Sequence, residues 1–231
     1  MEIAVIGGGH GCYAAAADLS EQGHLVRLWR RDSDAFAPVL ERSALTLTDA
    51  RDTRDVGIGL ATTDLAEAVT GAELVLVPLP ATAQMALAGA LAPLLADGQV
   101  VFLPPGTFGS YILARAVNEA GTGAKVAFAE TGTLPYLARK QAPDHIAIRV
   151  RATRLPTGVL PARDADHALA VIGAAYPSVE PLADALSGAL MNAGPIIHPP
   201  LILMNAGPLA HFETWDIHNE GTQPATRRVT D

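Results

Sequence analysis

Residues 2–31 read EIAVIGGGHGCYAAAADLSEQGHLVRLWRR, and this stretch decides the fold. The apolar run Ile3-Ala4-Val5-Ile6 reads as a buried strand that breaks at Gly7-Gly8-Gly9-His10-Gly11-Cys12. An alanine-rich helix follows, carrying Ala14 to Ala17 and Leu19 and ending near Gly23, and Leu25 to Trp29 forms a second strand. A glycine fingerprint placed directly after a strand and opening a helix, inside a βαβ unit of about 30 residues, points to a dinucleotide. Gly7 permits the tight turn, Gly9 lets backbone approach a pyrophosphate, and the helix N-terminus attracts the anion. Gly8 and Gly11 complete the loop. Cys12 occupies the third fingerprint position, where a small side chain lets helix and strand pack closely. It reads as a packing residue rather than a reactive thiol. His10 is placed either to donate to a phosphate or to face solvent.

Outward from this unit, strand and helix signals keep alternating. Thr46 to Thr48 and Val56 to Ala61 read as short strands flanking a polar turn. Asp64 is positioned to cap a helix over 65–69. Strands are expected at 73–77, 100–103 and 125–129, with helices at 82–95 and 110–120. After Glu130, residues 145–150 read as a strand with 158–161 pairing near it. Asp164 caps a helix to Ala175, and 178–182 forms an edge strand. Such alternation predicts an α/β fold: a Rossmann-like, doubly wound, mostly parallel sheet. Residues 191–217 are apolar with helical spacing, interrupted by Pro195, Pro199 and Pro200. They read as the start of an all-helical second domain. The expected division is 1–190 for dinucleotide binding and 191–231 for an incomplete helical substrate and catalytic domain. About 40 residues are too few for an independent core, so the chain reads as cut short.

The 231 residues are 49% hydrophobic and 17% charged, with net charge -8. There is no basic footprint for nucleic acid. One cysteine gives no disulfide framework, and no leader or membrane-length apolar run is seen, so a cytoplasmic, soluble protein is expected. No metal-ligand set is expected.

Ligands of open α/β sheets bind at the carboxyl ends of the strands. Three loops fall there: 7–12, 78–82 with Pro78 and Pro80, and 104–109 with Gly106 and Thr107. At the end of the second strand, Arg30 and Arg31 favour the 2′-phosphate of NADP over NAD, with Asp32 and Asp34 close by. The segment MNAGPIIHPP at 191–200 offers His198 as a proton donor, since imidazoles titrate near neutrality. The pattern nearly recurs at 204–211, which makes His211 a rival. Two prolines follow only His198, which predicts a fixed position at a helix start.

GGGHGCYAAAADL at the N-terminus, PPGTFGS at 104–110, ETGTLPYLAR at 130–139 and NAGPIIHPPLILMNAG at 192–207 together resemble the octopine/nopaline (opine) dehydrogenase family. The resemblance implies a Rossmann-like domain followed by a helical one. It also implies reductive condensation of an amino acid with an α-keto acid, such as pyruvate, using NAD(P)H. The catalytic histidine of the family falls on His198 and its companion asparagine on Asn192. No residue here matches the carboxylate partner of that histidine. Asn192 either hydrogen-bonds substrate carboxylate or cofactor amide, or caps the next helix. Glu130, Thr131 and Thr133 either line the cleft or belong to a solvated loop. A ketopantoate- or 2-hydroxy-acid-type reductase is the first alternative, although the only lysines are Lys125 and Lys140. A non-catalytic dinucleotide-binding module is the second. The large apolar residues of 196–217 are expected to face a second copy or to remain exposed. The chain alone is expected to bind cofactor with negligible turnover.

Overall fold

The computed structural model describes residues 1–217 and residue 221. The chain divides into two compact units, Met1–Met191 and Asn192–Asp231.

In the first unit, β1 (Glu2–Ile6), α1 (His10–Glu21) and β2 (Leu25–Trp29) form the expected βαβ unit, followed by α2 (Ala37–Arg42). Next come β3 (Ala44–Thr48), β4 (Thr53–Gly57), β5 (Leu60–Thr62), α3 (Leu65–Val69), β6 (Leu74–Leu76) and α4 (Ala81–Leu91). The unit continues with β7 (Val100–Leu103), α5 (Gly109–Ala120), β8 (Ala127–Thr131), β9 (Tyr136–Ala142), β10 (His145–Arg151) and β11 (Leu155–Leu160). It ends with α6 (Ala165–Ala175), β12 (Val179–Pro181) and α7 (Ala185–Leu190).

Eight strands form one sheet in the order β12-β11-β8-β7-β6-β1-β2-β5. All neighbours are parallel except β8 and β11, which are antiparallel. Strand alternation divides the core. Ile3 and Val5 of β1 join the face covered by α1 and α6, while Ala4 and Ile6 join the face covered by α3, α4 and α5. Ala14 to Ala17 are all buried, and their small side chains let α1 lie close against its surroundings. This is the doubly wound arrangement.

A second sheet, in the order β4-β3-β10-β9, does not follow from sequence periodicity. It corrects two expectations. Residues 56–61 split between the two sheets, with Val56 in β4 and Leu60 in β5. Residues 145–151 pair with β3 and β9, whereas 155–160 join the main sheet beside β8. At Gly158 a Cβ would overlap the backbone of Asp184, so the chain entering α7 rests directly on β11. Apolar residues of both sheets, including Leu45, Leu47, Ile146 and Ile148, pack in one core with α1. Salt bridges add to it. Arg151 reaches Asp18 of α1 at 2.7 Å and Asp49 at 3.0 Å, and Arg54 joins Asp49 to Glu21. The Arg54 hydrogen bond holds the Asp49 carboxyl far below the usual carboxylate range. Tyr136 of β9 donates to Asp18 at 3.0 Å, which ties that strand to α1.

Caps behave as expected at Asp64, which accepts from the Ala66 and Glu67 amides. Asp164 holds the cap position of α6 without a side-chain bond. The strand expected at 125–129 runs instead from 127 to 131. Lys125 turns its amide to the Asp97 carboxylate at 2.7 Å and stays outside the ladder.

The second unit contains α8 (Gly194–Met204) and α9 (Ala206–His211), separated at Asn205. The apolar run is therefore two helices rather than one. Pro199 and Pro200 lie inside α8, so two of its backbone bonds cannot form.

Candidate dinucleotide-binding site

The main sheet reverses strand order between β1 and β6, and the loops after these two strands flank that switch point. Gly7 has φ of +122°, and a Cβ there would lie 2.5 Å from Leu79 Cδ2 and 2.9 Å from Cys12 Sγ. Only glycine fits. A Cβ on Gly8 would overlap the Arg30 side chain, which lies across the loop. A Cβ on Gly9 would meet nothing closer than Cys12 Sγ at 4.0 Å, so this residue faces open space. Gly9 is also the N-cap of α1, which has no side-chain cap and no acidic residue in its first turn. The positive end of that helix dipole is left for an external anion.

Cys12 is fully buried, its thiol 3.6 Å from the Ile6 carbonyl oxygen, and burial pushes the thiol up to about 12. It is a protonated packing residue under the loop. His10 is exposed, and its Nδ1 accepts the Lys140 amide at 3.0 Å.

A cavity of about 660 Å³ opens beside the loop, within the range of small-molecule sites. Its lining brings together Gly7, Gly8, Trp29, Arg30, Arg31 and Asp32 with Leu79 and one face of α4. Thr82 closes the 78–82 loop expected there, whereas the rest of that face, Ala83, Ala86, Leu87 and Ala90, does not stand out in the sequence as a binding surface. Its helical spacing was the available signal. Arg30 donates to Tyr13 Oη at 3.1 Å and to the Ala35 carbonyl at 2.8 Å, whereas Arg31 is exposed. Pro78 and Gly11 line a separate small apolar niche with Pro104 and Tyr136, and Pro80 is the exposed N-cap of α4. A glycine cradle with one open face, an uncapped helix start and a cavity flanked by arginines fit a dinucleotide.

The loop at 104–109 is built differently. Thr107 and Phe108 have φ of 53° and 68°, and Gly106 is buried. Beneath it lies Glu130, fully buried. Glu130 and Thr131 are thus inside β8 and not in a solvated loop, because the strand extends two residues further than expected. Glu130 Oε1 accepts from Ser110 Oγ at 2.8 Å, backbone N–H groups at the start of α5 also favour its charged form, and Oε2 has no hydrogen-bond partner among the described residues. Burial outweighs these bonds and pushes the carboxyl above its ordinary range. The start of α5 is therefore occupied by an internal acid, unlike that of α1.

In the second unit, Asn192 Oδ1 accepts the Gly194 amide at 3.0 Å at the entrance to α8. His198 is exposed and lies one turn inside α8, not at its start, because the helix begins before Pro195. His211 is exposed at the end of α9, 5.1 Å from the Phe212 ring. Of the large apolar residues here, Ile196, Ile197, Ile202, Leu203, Met204 and Phe212 are exposed, while Leu201 is buried. Among the described residues, no cluster of His, Cys, Asp or Glu could hold a metal, and no helix is long and apolar enough to cross a membrane.

Residues 2–104 match the family described as NAD-dependent glycerol-3-phosphate dehydrogenase N-terminus. An opine dehydrogenase of Arthrobacter sp. (strain 1C) is 26% identical over 228 residues, covering 99% of this chain and 64% of the relative. The chain resembles the opine dehydrogenases. Octopine dehydrogenase solved with NADH and L-arginine superposes with a TM-score of 0.74 at 19% identity, over 94% of this chain and 57% of that one. Yersinopine dehydrogenase with NADP+ bound gives 0.68 at 17% identity, over 97% and 57%. This chain thus spans about two thirds or less of the length of these opine-type relatives.

Proposed function

We propose that this chain serves an opine-dehydrogenase-like oxidoreductase that condenses an amino acid with an α-keto acid, such as pyruvate, using NADPH in preference to NADH. The observation that carries the reading is the open, uncapped glycine loop beside an arginine-flanked cavity, in a chain similar to an opine dehydrogenase over 99% of its length. Gly7, Gly8, Gly9 and the start of α1 would hold the pyrophosphate, and Arg30 and Arg31 the ribose end. A bound nicotinamide cofactor supplies hydride to the carbon of the imine formed by amine and keto acid. His198 is assigned the proton at the imine nitrogen, and Asn192, which accepts the Gly194 amide at the entrance to α8, is assigned to orient substrate. The exposed apolar faces of 196–217 are assigned to a homodimer contact. Because the opine-type relatives are longer, the 231-residue chain is proposed to bind cofactor with little turnover of its own.

The test has two arms. NADPH and NADH are titrated by cofactor fluorescence, and NADPH oxidation is then followed with keto acid alone and with keto acid plus a panel of amino acids. Oxidation that requires the amine supports condensation. Equal oxidation without amine refutes it and favours a hydroxy-acid product.

A further inference from the structure

Two cations from distant parts of the sequence meet on one aromatic ring at the rim of the glycine loop. The Lys140 ammonium lies 3.7 Å from the centroid of the Tyr13 ring, and Arg30 donates to the hydroxyl of the same tyrosine at 3.1 Å. Lys140 sits on β9 of the second sheet, and its backbone amide is bonded to His10, the first residue of α1. The strand is thereby docked against the glycine loop, and the Tyr136 bond to Asp18 holds its other end.

Neither cation has a carboxylate at close hydrogen-bonding distance. Among the described residues no carboxylate lies within 4.0 Å of Lys140, and the nearest to Arg30 is the largely exposed Asp32 at 4.0 Å. Elsewhere in this acidic chain, Arg42, Arg51, Arg54 and Arg151 each contact one or more carboxylates. Bringing two like charges onto one buried ring is unfavourable unless an anion joins them. The exposed backbone of Gly9 and the uncapped start of α1 lie beside them. His10 accepts at Nδ1, which leaves its Nε2 to carry the ring proton of the neutral form and to act as a donor.

We propose that Lys140 and Arg30 form a phosphate site at the rim of the glycine loop, and that its ligand is the 2′-phosphate of an adenine dinucleotide. The position selects this phosphate. Arg30 directly follows β2, where a Rossmann fold presents the ribose 2′ position, and the pyrophosphate belongs to the start of α1. The inference rests on the dinucleotide reading above and adds a specificity determinant, Lys140, from outside the nucleotide-binding motif. Arg31, the other arginine of that pair, is exposed and becomes the lesser contributor.

Affinities for NADPH and NADH are measured by fluorescence titration on the 231-residue protein and on Lys140→Met and Lys140→Arg. The methionine keeps an apolar stem against Tyr13, and circular dichroism melts check that each variant folds. NADPH binding should weaken about tenfold or more in Lys140→Met while NADH binding changes less than about twofold, as expected for one lost charge-assisted bond. Lys140→Arg should retain the preference. In competition, 2′-AMP should displace NADPH more effectively than 5′-AMP or inorganic phosphate, and Lys140→Met should remove that advantage. Equal binding of both dinucleotides by the unmodified protein, or equal loss of both in folded Lys140→Met, overturns the phosphate site alone. Failure of the folded protein to bind either one overturns the proposed function together with this site.

Discussion

Gly106→Ala should destabilise the first unit by about 3–5 kcal/mol, because one methyl group would displace a buried carboxyl from its bond to Ser110. An ideal Cβ on Gly106 falls on Glu130, overlapping Oε2 and crowding Cβ and Cδ. Glu130 is fully buried within β8 and cannot swing into solvent. Yielding to the methyl would break the Ser110 bond, a charge-assisted contact worth about 1.5–3 kcal/mol. It would also leave Oε1 unpartnered beside an Oε2 that already lacks a partner, which costs about 1–3 kcal/mol more. Gly89→Ala provides the control. Gly89 is exposed within α4, and a Cβ there meets nothing within 4 Å, so alanine should stabilise by about 0.5–1 kcal/mol. Urea unfolding of both variants, followed by far-ultraviolet circular dichroism, compares midpoints at constant slope. A Gly106→Ala loss below about 1 kcal/mol would mean that the loop at 104–109 shifts freely, and the account of Glu130 as its fixed support would be wrong.

Three further outcomes are expected. Gly9→Val should abolish dinucleotide binding and leave the melting temperature nearly unchanged, since its side chain would enter the open face where the pyrophosphate belongs; retained binding would misplace that site. NADPH affinity should fall as pH rises through about 8, because burial and the neighbouring Arg30 charge lower the Lys140 ammonium to about 8. Two neighbouring groups do not imitate this loss: burial pushes the Cys12 thiol up to about 12 and raises the Tyr13 hydroxyl above its ordinary value. Isothermal titration at pH 7, 8 and 9 reads it, and a profile identical in Lys140→Met would assign the loss to another group. In steady-state assays of an active protein, His198→Ala should reduce turnover by about 10²–10⁴ with cofactor affinity unchanged, and His211→Ala should be mild. The reverse ranking would exchange the two histidines.

Local sequence was sufficient wherever one short segment carries its own reason to fold. The break from Ile6 to Gly7, the alanine face of α1 and the Asp64 cap each state their geometry within a few residues, because helix and strand periods and turn chemistry are local. Arg30, adjacent to β2, could be placed beside the loop for the same reason. The second sheet could not be read this way. Its four strands are short, half-polar and drawn from 44–57 and 136–151, so their pairing depends on burying Leu45, Leu47, Ile146 and Ile148 with α1. Glu130 looked like a loop residue until pairing with β7 and β11 extended β8 around it. Sequence determined that this protein has a glycine loop shaped for a dinucleotide. Only tertiary packing decided that Lys140, 127 positions from Tyr13, should sit on the tyrosine beside that loop, since charges act through space and not along the chain.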